Sequence, residues 1–291
     1  MKGKIIKAMA GFYHVYSEEK VYLTKPRGLF RLENITPAVG DWVDIEADEI
    51  HMEGTITKIY PRQNILRRPR VSNVTMTLIV FSLKDPSPDY LLIDKLICNA
   101  LAQGITPMLV FNKSDLDNEE IERAKTIYSL SPLALHFISA FSGEGVEELR
   151  ASLSGGTHVV AGPSGTGKSS LLNAIGVEKE LEVGEISAKL RRGRHTTRHV
   201  QLLPIGGETF IVDTPGFTNL ALDQDIDSLV LRECYEEFLP FSENCRYDNC
   251  LHGPEPQCGV KEALEQGRIR PERYENYLAL LEEVKERKEY S

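Results

Sequence analysis

Three glycines stand ahead of a lysine and two serines in Gly162-Pro163-Ser164-Gly165-Thr166-Gly167-Lys168-Ser169-Ser170. Glycine permits the dihedrals that turn successive backbone N–H groups toward one oxyanion, and a helix N-terminus favours negative charge. Such a loop cradles phosphates. Lys168 would reach the outer phosphates, Ser169 would ligate Mg²⁺, and Ser170 follows them as a further nucleotide contact. The apolar run at 159–161 precedes the loop and a helical pattern follows it, which is the context the chemistry requires. A glycine turn that binds nothing is the competing reading.

The choice of base comes from Asn112-Lys113-Ser114-Asp115, at the end of a predicted strand. A carboxylate at Asp115 can accept from guanine's ring N–H and exocyclic amine together, a pair adenine does not offer. Asn112 and Lys113 would brace the base and the phosphate loop. Ser139-Ala140 would offer a backbone N–H to the guanine carbonyl. Asp213-Thr214-Pro215-Gly216 adds a carboxylate for the metal's outer sphere and a glycine N–H for the terminal phosphate. Each tetrapeptide alone is weak. Three of them at strand ends beside a phosphate loop specify a site for GTP and GDP with Mg²⁺.

Cys245-x4-Cys250-x-His252-x5-Cys258 gathers three thiols and an imidazole within fourteen residues. Three soft sulfurs and one nitrogen match a closed, tetrahedral, structural Zn²⁺ site, with unconnected free thiols as the alternative. Cys98 and Cys234 lie in helical patterns and read as buried structural thiols.

The elements that must position these groups fall into three stretches. Residues 1–68 read as five short strands without a long helix (3–9, 12–16, 20–24, 41–46 and 54–60). That pattern suggests a small closed barrel, with the OB-fold leading and an SH3-like barrel not separable from it. From 69 to 222, strands near 74–83, 107–111, 136–139, 159–161, 200–205 and 209–212 alternate with helices, as in a mostly parallel sheet. Residues 223–291 are acidic and helical around the cysteine cluster, ending in a long helix from 271. The expected architecture is therefore multidomain: an OB-fold β-barrel, an α/β phosphate-loop domain and a helical zinc-binding module. The order of motifs is permuted, since the base-recognition segments precede the phosphate loop. Joining the original termini and reopening the chain in a surface loop produces that order.

The 34 basic and 43 acidic residues give a formal charge of -9, which excludes a protein that coats nucleic acid by bulk charge. RNA contact would need local patches. Two stretches free of acids supply candidates: Arg62, Arg67, Arg68 and Arg70, and then Lys189, Arg191, Arg192, Arg194 and Arg198. No apolar run is long enough to span a bilayer and no secretory leader is evident, so a cytoplasmic protein without membrane contact is expected.

With the barrel, the permuted motifs, Gly193-Arg194-His195-Thr196-Thr197 and the zinc spacing in place, the whole chain resembles the small ribosomal subunit biogenesis GTPases of bacteria, the RsgA type. The resemblance implies GTP hydrolysis stimulated by the small subunit late in its assembly. It also implies a barrel that touches rRNA, further assembly factors as partners, and action as a monomer. It assigns a metal contact to Thr197; this chain has Arg198 where some members carry a third threonine. Phe217 occupies the position where many GTPases carry a water-orienting glutamine, and it cannot make that hydrogen bond. His195 is the nearest polar candidate for that task, with Lys168 and Thr197 completing the catalytic set. Two other classes compete: a signalling GTPase with a protein partner, and an RNA-binding assembly module with a vestigial nucleotide site. The barrel, Arg clusters and zinc knuckle count against the first, and intact Lys168, Ser169, Asp213 and Asp115 against the second.

Overall fold

The computed structural model describes residues 1–28, 30, 35–66, 69–153, 155–177, 200–213 and 221–289. The chain divides into two compact units. The first comprises residues 1–76, 150–160 and 175–217; the second comprises 77–149, 161–174 and 218–291.

In the first unit, β1 (Lys2–Met9), β2 (Phe12–Ser17), β3 (Lys20–Pro26), β4 (Trp42–Asp48) and β5 (Glu53–Ile59) fall within two residues of the predicted strands. Their order is β2-β3-β5-β4-β1, and pairing of β1 with β2 closes the barrel. The pairs are antiparallel except β3 with β5, where Leu23 stands opposite Glu53. That single parallel pair, with the closure, is the OB arrangement rather than a simple meander. Ile5, Val15, Val43, Ile45 and Ile56 alternate into its interior. The same unit holds β9 (Gly156–Ala161), β10 (Gln201–Gly206) and β11 (Thr209–Asp213). β10 and β11 form an antiparallel hairpin, β11 runs parallel to β9, and β1 touches β10 at Lys7 opposite Gln201.

Lys4 is almost wholly buried there. Its Nζ donates to Thr157 Oγ1 at 2.6 Å and lies 4.7 Å from the Trp42 ring centroid and 5.0 Å from that of Phe210. Burial pulls this ammonium down to about 8. Asp41, also buried, receives Arg62 through both Nε and Nη2 at 2.7 Å, Ser72 Oγ at 2.6 Å and the Ala38 N–H at 2.7 Å. Arg62 is therefore committed within the fold, and the first Arg patch loses that member as a free cation. Arg70 is exposed, while Arg67, Arg68 and the whole second patch lie outside the described residues.

In the second unit, β6 (Met76–Ser82), β7 (Thr106–Asn112) and β8 (Ala134–Ile138) lie side by side, β7 and β8 in parallel. Their near-continuous apolar stretches are those of strands covered on both faces. α1 (Tyr90–Leu101) is capped by Asp89, which accepts from the Leu92 N–H. α2 (Asn118–Tyr128) is capped by Asp117, which accepts from the Glu120 N–H. α3 (Val146–Ser152) follows β8, and α4 (Lys168–Ala174) follows the glycine loop. C-terminal to these come α5 (Ser228–Glu233), a 3₁₀ turn at Glu236–Phe238, α6 (Leu239–Ser242), α7 (Gly259–Glu265) and α8 (Pro271–Glu289). Tyr235, Phe238, Val260, Ile269, Tyr277 and Leu280 build their core, which Cys98 of α1 joins.

A buried polar cluster ties α8 to α1. Arg273 pairs with Asp94 and, at 2.6 Å, with Glu237. Tyr128, Tyr235 and Asn276 donate to the remaining positions of Asp94 at 2.9, 3.3 and 2.9 Å. Among the described residues no helix is long and apolar enough to cross a membrane.

Candidate nucleotide site and metal centre

Asn112 ends β7, and its buried amide joins three segments that are far apart in sequence. Nδ2 donates to the Thr166 carbonyl at 3.0 Å, while Oδ1 accepts from the N–H groups of Lys113 at 2.8 Å and Ala140 at 3.0 Å. The phosphate loop, the 112–115 segment and the 139–140 turn are thereby fixed to one another.

Two glycines make this approach possible. A Cβ on Gly167, at φ +86°, would lie 2.2 Å from Asn112 Nδ2, and one on Gly162, at φ +137°, would lie 2.2 Å from the Val80 carbonyl oxygen. Within the loop, Thr166 Oγ1 donates to the Pro163 carbonyl at 3.1 Å. Lys168 Nζ donates to the carbonyls of Gly162, at 2.8 Å, and Pro163. Burial lowers this ammonium from its ordinary value, and an adjacent phosphate would oppose that shift. Ser164, Gly165, Ser169 and Ser170 are exposed along the loop and the first turn of α4.

Lys113, at φ +63°, points its ammonium to the carbonyls of Lys84, at 3.2 Å, and Asp85. It braces the 84–86 turn, and Pro86 Cδ lies 3.6 Å from where a Gly165 Cβ would stand. The bracing expected of Lys113 thus acts through this turn, whereas Asn112 holds the phosphate loop directly. Asp115 is exposed. Ser114 is buried; its N–H donates to the Ile138 carbonyl at 3.0 Å, and its Oγ has no hydrogen-bond partner.

The N–H expected from Ser139-Ala140 for the guanine carbonyl is already donated inside the protein. Ser139 gives its N–H to the Glu144 carbonyl at 2.9 Å, and Ala140 gives its own to Asn112. These residues shape the site in this structure through the turn they build. Of Asp213 only the backbone, ending β11, is described; Gly216, Phe217, His195 and Thr197 lie outside the described residues.

The Cys3His cluster is assembled. The ligand atoms of Cys245, Cys250, His252 and Cys258 all lie within 4.8 Å of one another. Cys245 and Cys258 sulfurs are 3.8 Å apart, and His252 Nδ1 stands 3.6 and 3.4 Å from them. Tetrahedral zinc, with bonds of about 2.3 Å to sulfur and about 2.0–2.1 Å to nitrogen, sets edges of roughly 3.8 Å between sulfurs and roughly 3.6 Å from sulfur to nitrogen. The donor set fits that ion. Burial pulls His252 down to about 4, which keeps the imidazole neutral and able to ligate. Burial and the neighbouring thiols push Cys250 up to about 12, so metal capture must displace thiol protons.

Sequence spacing gave no signal for the residues that support this centre. Ser242 Oγ lies 3.2 Å from His252 Nε2 and orients the ring. Tyr274 and Tyr277 hydroxyls donate to the His252 and Leu251 carbonyls at 2.6 Å. The Glu255 carboxylate receives the N–H groups of Leu251 at 3.1 Å and Gly253 at 2.8 Å. Only the folded chain brings α6 and α8 against the knuckle.

Comparison with known proteins extends these local findings to the whole chain. Residues 59–223 match the RsgA GTPase family and residues 2–56 the RsgA N-terminal domain. The chain is 42% identical over 303 residues to the small ribosomal subunit biogenesis GTPase RsgA of Agathobacter rectalis, covering 100% of both. It is 44% identical over 288 residues to the protein of that description from Caldanaerobacter subterraneus, covering 99% of this chain and 97% of the relative. Among solved structures, YjeQ from Thermotoga maritima superposes with a TM-score of 0.84 at 36% identity, over 97% of this chain and 98% of that one. YloQ, described as a circularly permuted GTPase, gives 0.82 at 34% identity, over 98% and 95%. The motif order, the braced phosphate loop and these full-length likenesses lead to one conclusion: the chain belongs to the RsgA family of circularly permuted GTP hydrolases.

Proposed function

We propose that the protein acts in late maturation of the small ribosomal subunit: the GTP-bound form docks on the subunit through rRNA, and hydrolysis to GDP and phosphate releases it. The observation that carries this reading is the end-to-end similarity to proteins described as small ribosomal subunit biogenesis GTPases. The closed barrel supports it as a familiar RNA-contacting fold.

Within the site, Asp115 selects guanine, the 162–170 loop holds the phosphates, and Lys168 neutralises their charge. Mg²⁺ would be held by Ser169, exposed at the start of α4, and by Thr197; it would supply further charge neutralisation on the phosphates. His195 orients the attacking water that Phe217 cannot. The Cys3His cluster holds one structural Zn²⁺, a role favoured by four protein ligands that leave no open position. The chain divides functionally at 1–68, 69–222 and 223–291. Its expected setting is the cytoplasm, as a monomer, with other assembly factors on the same subunit.

Pelleting through sucrose with purified subunits tests the docking step. Cosedimentation with small subunits in the presence of a non-hydrolysable GTP analogue, and release with GDP, is expected; equal pelleting with large subunits contradicts it. For His195→Ala, single-turnover hydrolysis on small subunits should fall while docking persists, and a rate near wild type removes His195 from the mechanism.

A further inference from the structure

Five residues after Gly216, the backbone at 221–223 is gripped from two helices. On α1, the Asn99 amide pairs with it as a neighbouring strand would: Nδ2 donates to the Ala221 carbonyl at 3.0 Å, and Oδ1 accepts the Asp223 N–H at 2.8 Å. On α8, Arg287 Nη1 donates to the Asp223 carbonyl at 3.2 Å. Beside this segment the two helices are joined to each other. Lys95, one turn before Asn99, pairs at 2.7 Å with Glu283, which lies one turn before Arg287 and also receives its guanidinium. The circuit from Lys95 through Glu283, Arg287, Asp223 and Asn99 returns to α1 without a gap.

Anchoring the segment to the core does not need this circuit. Leu222, 2% exposed in the core of the C-terminal helices, already does that. Apolar burial is non-directional, whereas the amide and the guanidinium also fix the segment along its own length. Upstream, Asp213 is paired with Gln201 at the end of β11. The chain that carries Gly216 is thus held on both sides, and a loop with fixed ends loses less freedom when one of its N–H groups closes on a ligand. We infer that Asn99 and Arg287 are positioning residues for the terminal phosphate of GTP: by clamping the exit of the Asp213–Gly216 segment they pre-organise the Gly216 N–H that receives that phosphate. This rests on the reading of Gly216 as a phosphate contact.

GDP lacks the terminal phosphate, so comparing it with a non-hydrolysable GTP analogue by calorimetry on the full-length protein with Mg²⁺ tests the clamp. Asn99→Ala keeps a good helix former on α1 and should weaken the analogue by about 3- to 30-fold, with GDP unchanged. Arg287→Met should act in the same direction. Arg287→Lys, which keeps a donor for the Asp223 carbonyl, should fall between Arg287→Met and wild type. Hydrogen exchange of the Asp223 amide should quicken in Asn99→Ala. Equal weakening of both nucleotides would reduce the clamp to general support of the fold and overturn the inference, as would no weakening of either. If instead Gly216→Ala binds the analogue as wild type does, the phosphate contact itself fails, and the inference with it.

Discussion

A carboxylate at Asp115 is a double acceptor at the end of a turn that Asn112 holds in place. Replacing it by an amide gives one donor and one acceptor, which suits xanthine's carbonyl and mismatches guanine's two donors. Asp115→Asn should weaken GTP and improve xanthosine triphosphate in competition binding. Unchanged GTP affinity would place the base elsewhere. The segments that meet at Asn112 were legible in sequence because phosphate and guanine recognition, as read here, call for fixed residue types at fixed spacings. Who braces whom was not. Asn112 carries the phosphate loop, Lys113 turns to the 84–86 carbonyls and the Ala140 N–H is taken by Asn112, all through contacts between residues 28 to 54 positions apart, while Ser139 spends its N–H on Glu144 within the same turn.

At the scale of elements, two devices hold the C-terminal helices. The first is the Arg273 cluster, in which the two carboxylates of Asp94 and Glu237 share one buried guanidinium. Removing one partner of such a group leaves charge uncompensated in the interior. Arg273→Met should cost about 3–5 kcal/mol in urea denaturation, and a loss below about 1 kcal/mol would show that the cluster relaxes or hydrates. The second is the metal knuckle. Cys250→Ser should lower bound zinc and loosen residues 245–258 in hydrogen exchange while leaving GDP affinity intact. Wild-type protein purified without chelator and free of metal would contradict this. The knuckle was readable from its spacing. The Arg273 cluster was not, because no local pattern marks an arginine at the start of an exposed-looking helix as the partner of an aspartate 179 residues earlier.

At the scale of the whole molecule, the barrel strands were legible within two residues from alternation, yet the burial of Lys4 was not. A strand over 3–9 says nothing of Thr157, Trp42 and Phe210, which enclose Lys4 from other segments. Its folded value of about 8 lies below the ordinary 10.5, so between those pH values the unfolded chain holds a proton that the folded chain has released. Stability should therefore rise with pH across that window, by about 1–2 kcal/mol from pH 7.5 to 9.5, after the hydrogen bond and ring contacts offset part of the burial cost. Lys4→Met should flatten this difference in paired denaturation curves; parallel slopes in both proteins would assign the pH response to other groups. GTP turnover, measured alone and with purified small or large ribosomal subunits, bears most directly on what the assembled molecule does. Slow turnover by the free protein and a rise confined to small subunits is the expected result. No rise with either subunit, or the same rise with both, would contradict a GTPase whose hydrolysis is tied to the small subunit.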